Sequence, residues 1–214
     1  FTALGIVLIV VGIYYGLFVV PPDAVQGDSA RIMFVHVPAM WLSLFVYAFM
    51  AGASFISLVW RHALADVAAK SAAPIGACVT AFGLITGSIW GYPTWGTWWE
   101  WGDARLVSVL VLFFIYLGYI AIWEAMDTPQ KAARAAAILC LFGAINVPII
   151  HWSVNWFATL HQVQMKASDD FKYPMYIVAL GYLALFGGLT LLNMRSEIML
   201  TRAEMLNQRK QAAA

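Results

Sequence analysis

The sequence predicts an all-α, polytopic integral membrane protein with six transmembrane helices and short loops. Three observations carry this. The chain has 214 residues, of which 63% are hydrophobic and only 11% charged, whereas a soluble domain carries about 25% charged residues. Its mean hydropathy is +0.79. The apolar residues gather into six stretches of roughly 20, the length of helix that crosses a hydrocarbon core. A formal net charge of +1 gives no footing for nucleic acid.

The first span lies near 1–20. It resembles a signal peptide, but Val20-Pro21-Pro22 is a poor cleavage site, so it reads as a retained helix. The others lie near 33–59, 72–91, 106–123, 135–151 and 174–194. Pro21, Pro22, Pro74, Pro93, Pro129 and Pro174 are placed at helix ends, where a missing N–H costs little. Pro38 and Pro148 lie just inside spans, where they introduce kinks. The connections leave no room for a soluble domain. Residues 1–214 thus form one membrane domain, with 90–106 a tryptophan-rich loop and 195–214 a tail. Cys78 and Cys140 fall in apolar stretches and read as buried thiols, with no disulfide indicated.

Basic residues set the orientation. Arg61, Lys70, Lys131, Arg134, Arg195, Arg202, Arg209 and Lys210 fall on one side, and only Arg31, Arg105, Lys166 and Lys172 on the other. The richer side is cytoplasmic. Both ends of the chain are then cytoplasmic, and the 21–32, 90–106 and 152–173 connections face outward. No Asp, Glu, Lys or Arg lies mid-span. That argues against an ion-coupled carrier, which needs ionisable groups at membrane depth.

Chemistry is therefore expected at the outer surface. Five of the ten tryptophans fall between Trp90 and Trp101. Interfacial anchoring accounts for two or three such rings, but not for five in one loop. The run ends in Asp103 and Arg105, simplest read as a helix-start carboxylate and an interfacial anchor. Three of the four histidines, His36, His151 and His161, share this face; His62 belongs to the cytoplasmic Arg61-His62 loop. If 151–161 were one helix, His151 and His161 would point about 80° apart, and His161 would share a stripe with Val154 and Phe157. Asn146 is expected to bond across helices.

Two neutral imidazoles from different segments can ligate one metal from opposite sides. Beside an aromatic platform, the metal-bearing ligand that fits best is haem, with its flat apolar face and axial nitrogen ligands. Arg31, Arg105 and indole N–H groups are available for its propionates. There is no Cys-x-x-Cys-His to attach it covalently, so the expectation is non-covalent haem b. A bare zinc ion would want more ligands at close spacing.

The run Trp95-Gly96-Thr97-Trp98-Trp99-Glu100-Trp101-Gly102-Asp103-Ala104-Arg105-Leu106 resembles the tryptophan-rich WWD signature of haem-handling membrane proteins. Within them the chain looks like the CcmC family of cytochrome c maturation. The resemblance runs almost end to end. It includes the segments Arg31–Ala39, Ala73–Gly76, Thr86–Ser88, Asn146–Val154 and Thr159–Gln162.

The resemblance implies a function. Such proteins hold haem at the outer face of the bacterial inner membrane and hand it to the chaperone CcmE, working beside CcmA, CcmB and CcmD. It implies His36 and His161 as the axial pair on the haem iron, and a platform of Trp95, Gly96, Trp98, Trp99 and Trp101. Asp103 and Arg105 then serve the propionates or shape the loop. His151 is not a ligand in the family. Three positions depart from the signature: Gly102 separates Trp101 from Asp103, Glu100 stands at an apolar position, and Val107 replaces a threonine. An extra residue rotates the downstream side chains by about 100° if helical, and changes little if a loop absorbs it.

No nucleophile or acid–base pair is evident, so the expectation is a haem carrier and not an enzyme. Two other classes remain: a permease subunit of an ABC-type transporter, and a haem-independent assembly scaffold.

Overall fold

The computed structural model describes residues 1–157, 159–161 and 168–212. Among them it is all-helical: α1 (Thr2–Phe18), α2 (Met33–Trp60), α3 (Ala63–Trp95), α4 (Ala104–Ala125), α5 (Pro129–Gly143), α6 (Asn146–Trp156) and α7 (Asp169–Ala212), with one 3₁₀ turn, Asp28–Ile32. Five helical stretches are long and apolar enough to cross a membrane, α5 and α6 counting as one; α1, also apolar, has 17 residues, at the short end of the spanning range. This is a multi-pass membrane protein, as its composition predicts. The helices run alternately up and down, so the connections after α1, α3 and α6 share one end.

Several boundaries move. The third span does not begin near 72. A two-residue turn, with Arg61 in the left-handed region at φ 52°, leads straight into α3 at Ala63. The alanine-rich stretch 63–73 has high helix propensity, which outweighs its lower hydropathy. Pro74, Pro93 and Pro174 consequently lie inside helices, not at their ends. Membrane helices tolerate this where side chains satisfy nearby carbonyls. Thr94 Oγ1 donates to Trp90 O at 2.7 Å, and Asn193 Nδ2 to Ser71 O at 3.2 Å. The fifth span is broken at Ala144–Ile145, ahead of Pro148, whose ring nitrogen cannot donate to the turn before it. Asn146 Nδ2, at the break, bonds across to Ser108 O at 2.8 Å, the expected cross-helix contact. The tail is no separate segment, because α7 continues through it to Ala212.

Packing follows membrane rules. With lipid as apolar as leucine, helices associate through close backbone approach and a few buried hydrogen bonds. The buried residues of α1 are Gly5, Gly12 and Gly16. A Cβ on Gly5 would sit 2.7 Å from Leu185 N and 2.8 Å from Gly181 O, so α1 lies backbone to backbone on α7. At the centre, Tyr47 Oη donates to Cys140 O at 2.9 Å and Tyr116 Oη to Ser43 O at 2.8 Å. Cys140 is buried as expected, but Cys78 is exposed on the outside of the bundle; both thiols are free. At the end of the bundle opposite the tryptophan run, Lys70 pairs with Glu197 and lies 4.9 Å over the Trp123 ring.

Candidate functional site

The tryptophan run is half helix and half loop. Trp90–Trp95 form the last turns of α3, so the connection is 96–103, shorter than the 90–106 read from sequence. Gly96 ends α3 in the left-handed region at φ 77°, its N–H donating to Tyr92 O at 2.9 Å. Only glycine adopts this without strain, so Gly96 shapes the loop and adds no face to a platform. Thr97 Oγ1 donates to Trp99 O at 2.9 Å and tightens the turn. Gly102 donates its N–H to Glu100 Oε1 at 3.0 Å. The additional residue and the unusual carboxylate therefore meet in one turn, outside any helix. Asp103 still starts α4, with Oδ1 accepting from Arg105 N at 2.9 Å and Leu106 N at 3.0 Å.

Asp103 is only 1% exposed and does more than cap. Its Oδ2 accepts from Leu160 N at 2.7 Å and stands 3.6 Å from His161 Nδ1. One carboxylate thus ties the start of α4 to the segment carrying His161. A propionate could not approach so enclosed an anion, which leaves Asp103 the loop-shaping half of its expected role. The one-helix geometry for 151–161 does not apply, because α6 ends at Trp156 and Phe157 is extended. The chain turns back toward α4 instead of following the Val154–Phe157 stripe. Lys166 and Gln162 lie outside the described residues.

His36 and His161 come to the same end of the bundle. His36, in the first turn of α2, places Nδ1 3.0 Å from Thr86 Oγ1 on α3. A Cβ on Gly87 would stand 2.9 Å from His36 Cε1, so glycine is what admits the ring. A continuous aromatic row joins the two imidazoles. Centroids are 5.8 Å apart for His36–Trp90, 6.5 Å for Trp90–Trp95 and 5.0 Å for Trp95–His161. Both imidazoles are partly exposed. Burial holds the His161 imidazole below its ordinary pKa; the Asp103 carboxylate opposes this and Arg105 adds to it. His161 is therefore neutral at neutral pH and able to ligate a metal. His151 is exposed, its ring against Trp152, and its carbonyl accepts from Arg105 Nη2 at 3.3 Å.

The four platform tryptophans divide. Trp95 meets His161. Trp99 is half-buried and contacts Trp101 edge-on at 5.5 Å. Trp98 and Trp101 are exposed, Trp98 stacking on Tyr92 at 4.7 Å. Trp90 completes the row between the histidines, held by Nε1 donating to Gln26 Oε1 at 2.9 Å. Sequence reasoning left Trp90 out of the platform and gave Thr86 and Gly87 no part. Their signal was spacing: Thr86 and Trp90 are four residues apart, as are Gly83, Gly87 and Gly91, which puts each set on one helix face.

The cations also separate. Arg31 is occupied with structure: Nη1 donates to Gly16 O at 2.6 Å and Val20 O at 3.0 Å, and Nε to Asp28 at 2.7 Å. It closes the end of α1 with Nη1 and Nε. Arg105 retains spare donors. Six buried side-chain nitrogens and oxygens lack a hydrogen-bond partner among the described residues, and three, Trp99 Nε1, Arg105 Nε and His161 Nδ1, belong to this site. Native interiors rarely leave such atoms unpaired away from functional sites. The crevice behind the loop, lined by Gly87, Gly91, Trp95, Trp99, Leu106 and Leu160, has a cavity volume of only about 10 Å³, far below the roughly 300–1,000 Å³ of ordinary ligand pockets. Two imidazoles, an indole row and unpaired N–H donors fit haem with carboxylate side arms. Among the described residues no cluster of three or more His, Cys, Asp or Glu could hold a bare ion.

Comparison with known proteins agrees. The family model CcmC, "Heme exporter protein C", matches residues 1–209. The heme exporter protein C of Bradyrhizobium diazoefficiens is 51% identical over 211 residues, 95% of this chain and 80% of the relative. That of Escherichia coli K12 is 49% identical over 200 residues, 92% and 81%. That of Paracoccus denitrificans is 42% identical over 212 residues, 95% and 87%. With the match covering almost the whole chain, and the WWD-like run, His36 and His161 inside it, the chain belongs to the heme exporter protein C (CcmC) family.

Proposed function

We propose that this protein holds non-covalent haem b at the outer, periplasmic face of the bacterial inner membrane and delivers it for c-type cytochrome assembly. Its relatives are named heme exporter protein C. The single observation that carries the reading is the row His36–Trp90–Trp95–His161, with unpaired donors beside it. His36 and His161 are the axial ligands. Trp95 and Trp90 face the porphyrin, and Trp99 and Trp101 extend the surface. Arg105 and the Trp99 indole N–H receive the propionates.

Two axial imidazoles leave haem iron no free position for O2, which suits a carrier. The protein makes and breaks no covalent bond in this role and is not an enzyme. Delivery requires an acceptor that displaces one axial contact. In this family's system that acceptor is CcmE, with CcmA, CcmB and CcmD as membrane partners. His161, on a non-helical segment, is the ligand able to withdraw; His36, within α2, is the fixed one.

The test is an absorption spectrum of detergent-purified protein, oxidised and reduced, with and without added haem. Wild type should show a low-spin spectrum that His36→Ala and His161→Ala each lose or shift. An unchanged spectrum in either variant removes that residue from the iron. A wild type that takes up no haem would favour the permease or scaffold readings.

A further inference from the structure

Thr86 lies one turn before Trp90 on α3 and meets His36 across the α2–α3 contact, Oγ1 to Nδ1 at 3.0 Å. A threonine hydroxyl has one hydrogen and two lone pairs. Here the hydrogen is committed to the backbone of α3: Oγ1 donates to Phe82 O at 2.8 Å, with Gly83 O at 3.2 Å. What remains for the imidazole is a lone pair. A neutral imidazole against an acceptor puts its single N–H toward it.

From this geometry we infer that Thr86 is a positioning residue: it holds His36 in the tautomer with hydrogen on Nδ1, so that Nε2 carries the lone pair a metal requires. Gly87 completes the seat, since any Cβ there would push the ring away from Thr86. The two histidines are thereby prepared differently. His36 is oriented by a neutral hydroxyl on a helix. His161 stands 3.6 Å from the buried Asp103 carboxylate. Partners on the far side of a ligating imidazole fix its tautomer and orientation, and their loss typically costs 10–100-fold in metal affinity. The consequence for haem rests on the function proposed above; the tautomer itself does not.

The experiment uses the full chain in detergent with ¹⁵N-labelled histidine, as wild type, Thr86→Ser and Thr86→Val. The His36 signals are assigned by their loss in His36→Ala. In the haem-free protein, wild type and Thr86→Ser should show hydrogen on Nδ1 alone. Thr86→Val, which keeps the shape and removes the lone pair, should show a mixture with Nε2–H. Titrated haem should bind Thr86→Val about tenfold more weakly, with Thr86→Ser restoring the affinity. A Thr86→Val protein that keeps the single Nδ1–H signal overturns the inference whatever haem does. Wild-type haem affinity in Thr86→Val despite a mixed tautomer overturns its bearing on haem. If His36→Ala binds haem with the wild-type spectrum, the axial-ligand reading fails instead, and the tautomer signal still decides the part of Thr86.

Discussion

Asp103 shows how much one buried carboxylate organises. Oδ1 caps α4 and Oδ2 receives the N–H of Leu160, so the loop bearing His161 is anchored to a helix start 57 positions earlier. Asn at this position keeps one accepting oxygen and replaces the other by an N–H donor. Asp103→Asn should therefore keep a thermal midpoint near wild type while haem affinity falls about tenfold or more. Asp103→Ala should also lose the cap, about 1 kcal/mol. Wild-type affinity in the asparagine variant would show that something else places His161. The two outer arginines make a second contrast. Arg31→Ala removes charged donors from the carbonyls of Gly16 and Val20, a loss of about 2 kcal/mol. It should lower the thermal midpoint without altering the haem spectrum. Arg105→Ala should weaken haem retention with a smaller change in midpoint. The opposite result would return Arg31 to the site.

Between elements, close approach of backbones replaces the hydrophobic effect. A Cβ on Gly181 would stand 2.8 Å from Ile9 N and 2.9 Å from Gly5 O, and backbone atoms cannot yield as a flexible side chain does. Gly181→Leu should part α1 from α7. The measurement is limited proteolysis in the 19–27 connection together with thermal unfolding: cutting should quicken and the midpoint fall. Unchanged cutting would mean that α1 is held chiefly by Arg31. The 96–103 loop shows a different economy. Gly102 and Glu100 depart from the signature, yet they bond each other and return the chain to Asp103 in capping position. A residue inserted in a turn costs a local hydrogen bond, whereas one inserted in a helix would have rotated the indoles away from α4.

Over the whole molecule the two ends are separate. One end gathers imidazoles, indoles and Arg105. The opposite end is tied by Lys70–Glu197 and Ser57–Asp66. Thr86 is 16 residues along α3 from Lys70, about 24 Å of helix, and sites that far apart contribute independently. The Lys70–Glu197 side chains are each about one-third exposed, so the pair contributes about 1 kcal/mol or less. Lys70→Ala should lower the thermal midpoint slightly and leave haem affinity and spectrum unchanged. A shifted spectrum would show that this tie reaches the histidine site at the other end.

Hydropathy alone settled the class of protein, because a bilayer demands about 20 apolar residues whatever their neighbours; five stretches meet that length and α1 falls just short of it. The order of spans also brought the tryptophan run and three histidines to one end of the bundle, since alternating helices leave no other place for them. Contacts between distant residues lay beyond it. Arg31 read as a propionate cation until its guanidinium was seen at the Gly16 and Val20 carbonyls. Asp103 read as a cap until Leu160 reached it. Pro74, Pro93 and Pro174 read as helix ends, yet α3 and α7 continue through all three. Thr86 lay in a family-like segment, but only its spacing from Trp90 pointed it at the site. A hydroxyl's role depends on which lone pair faces which nitrogen, and only the packing of α2 on α3 decides that.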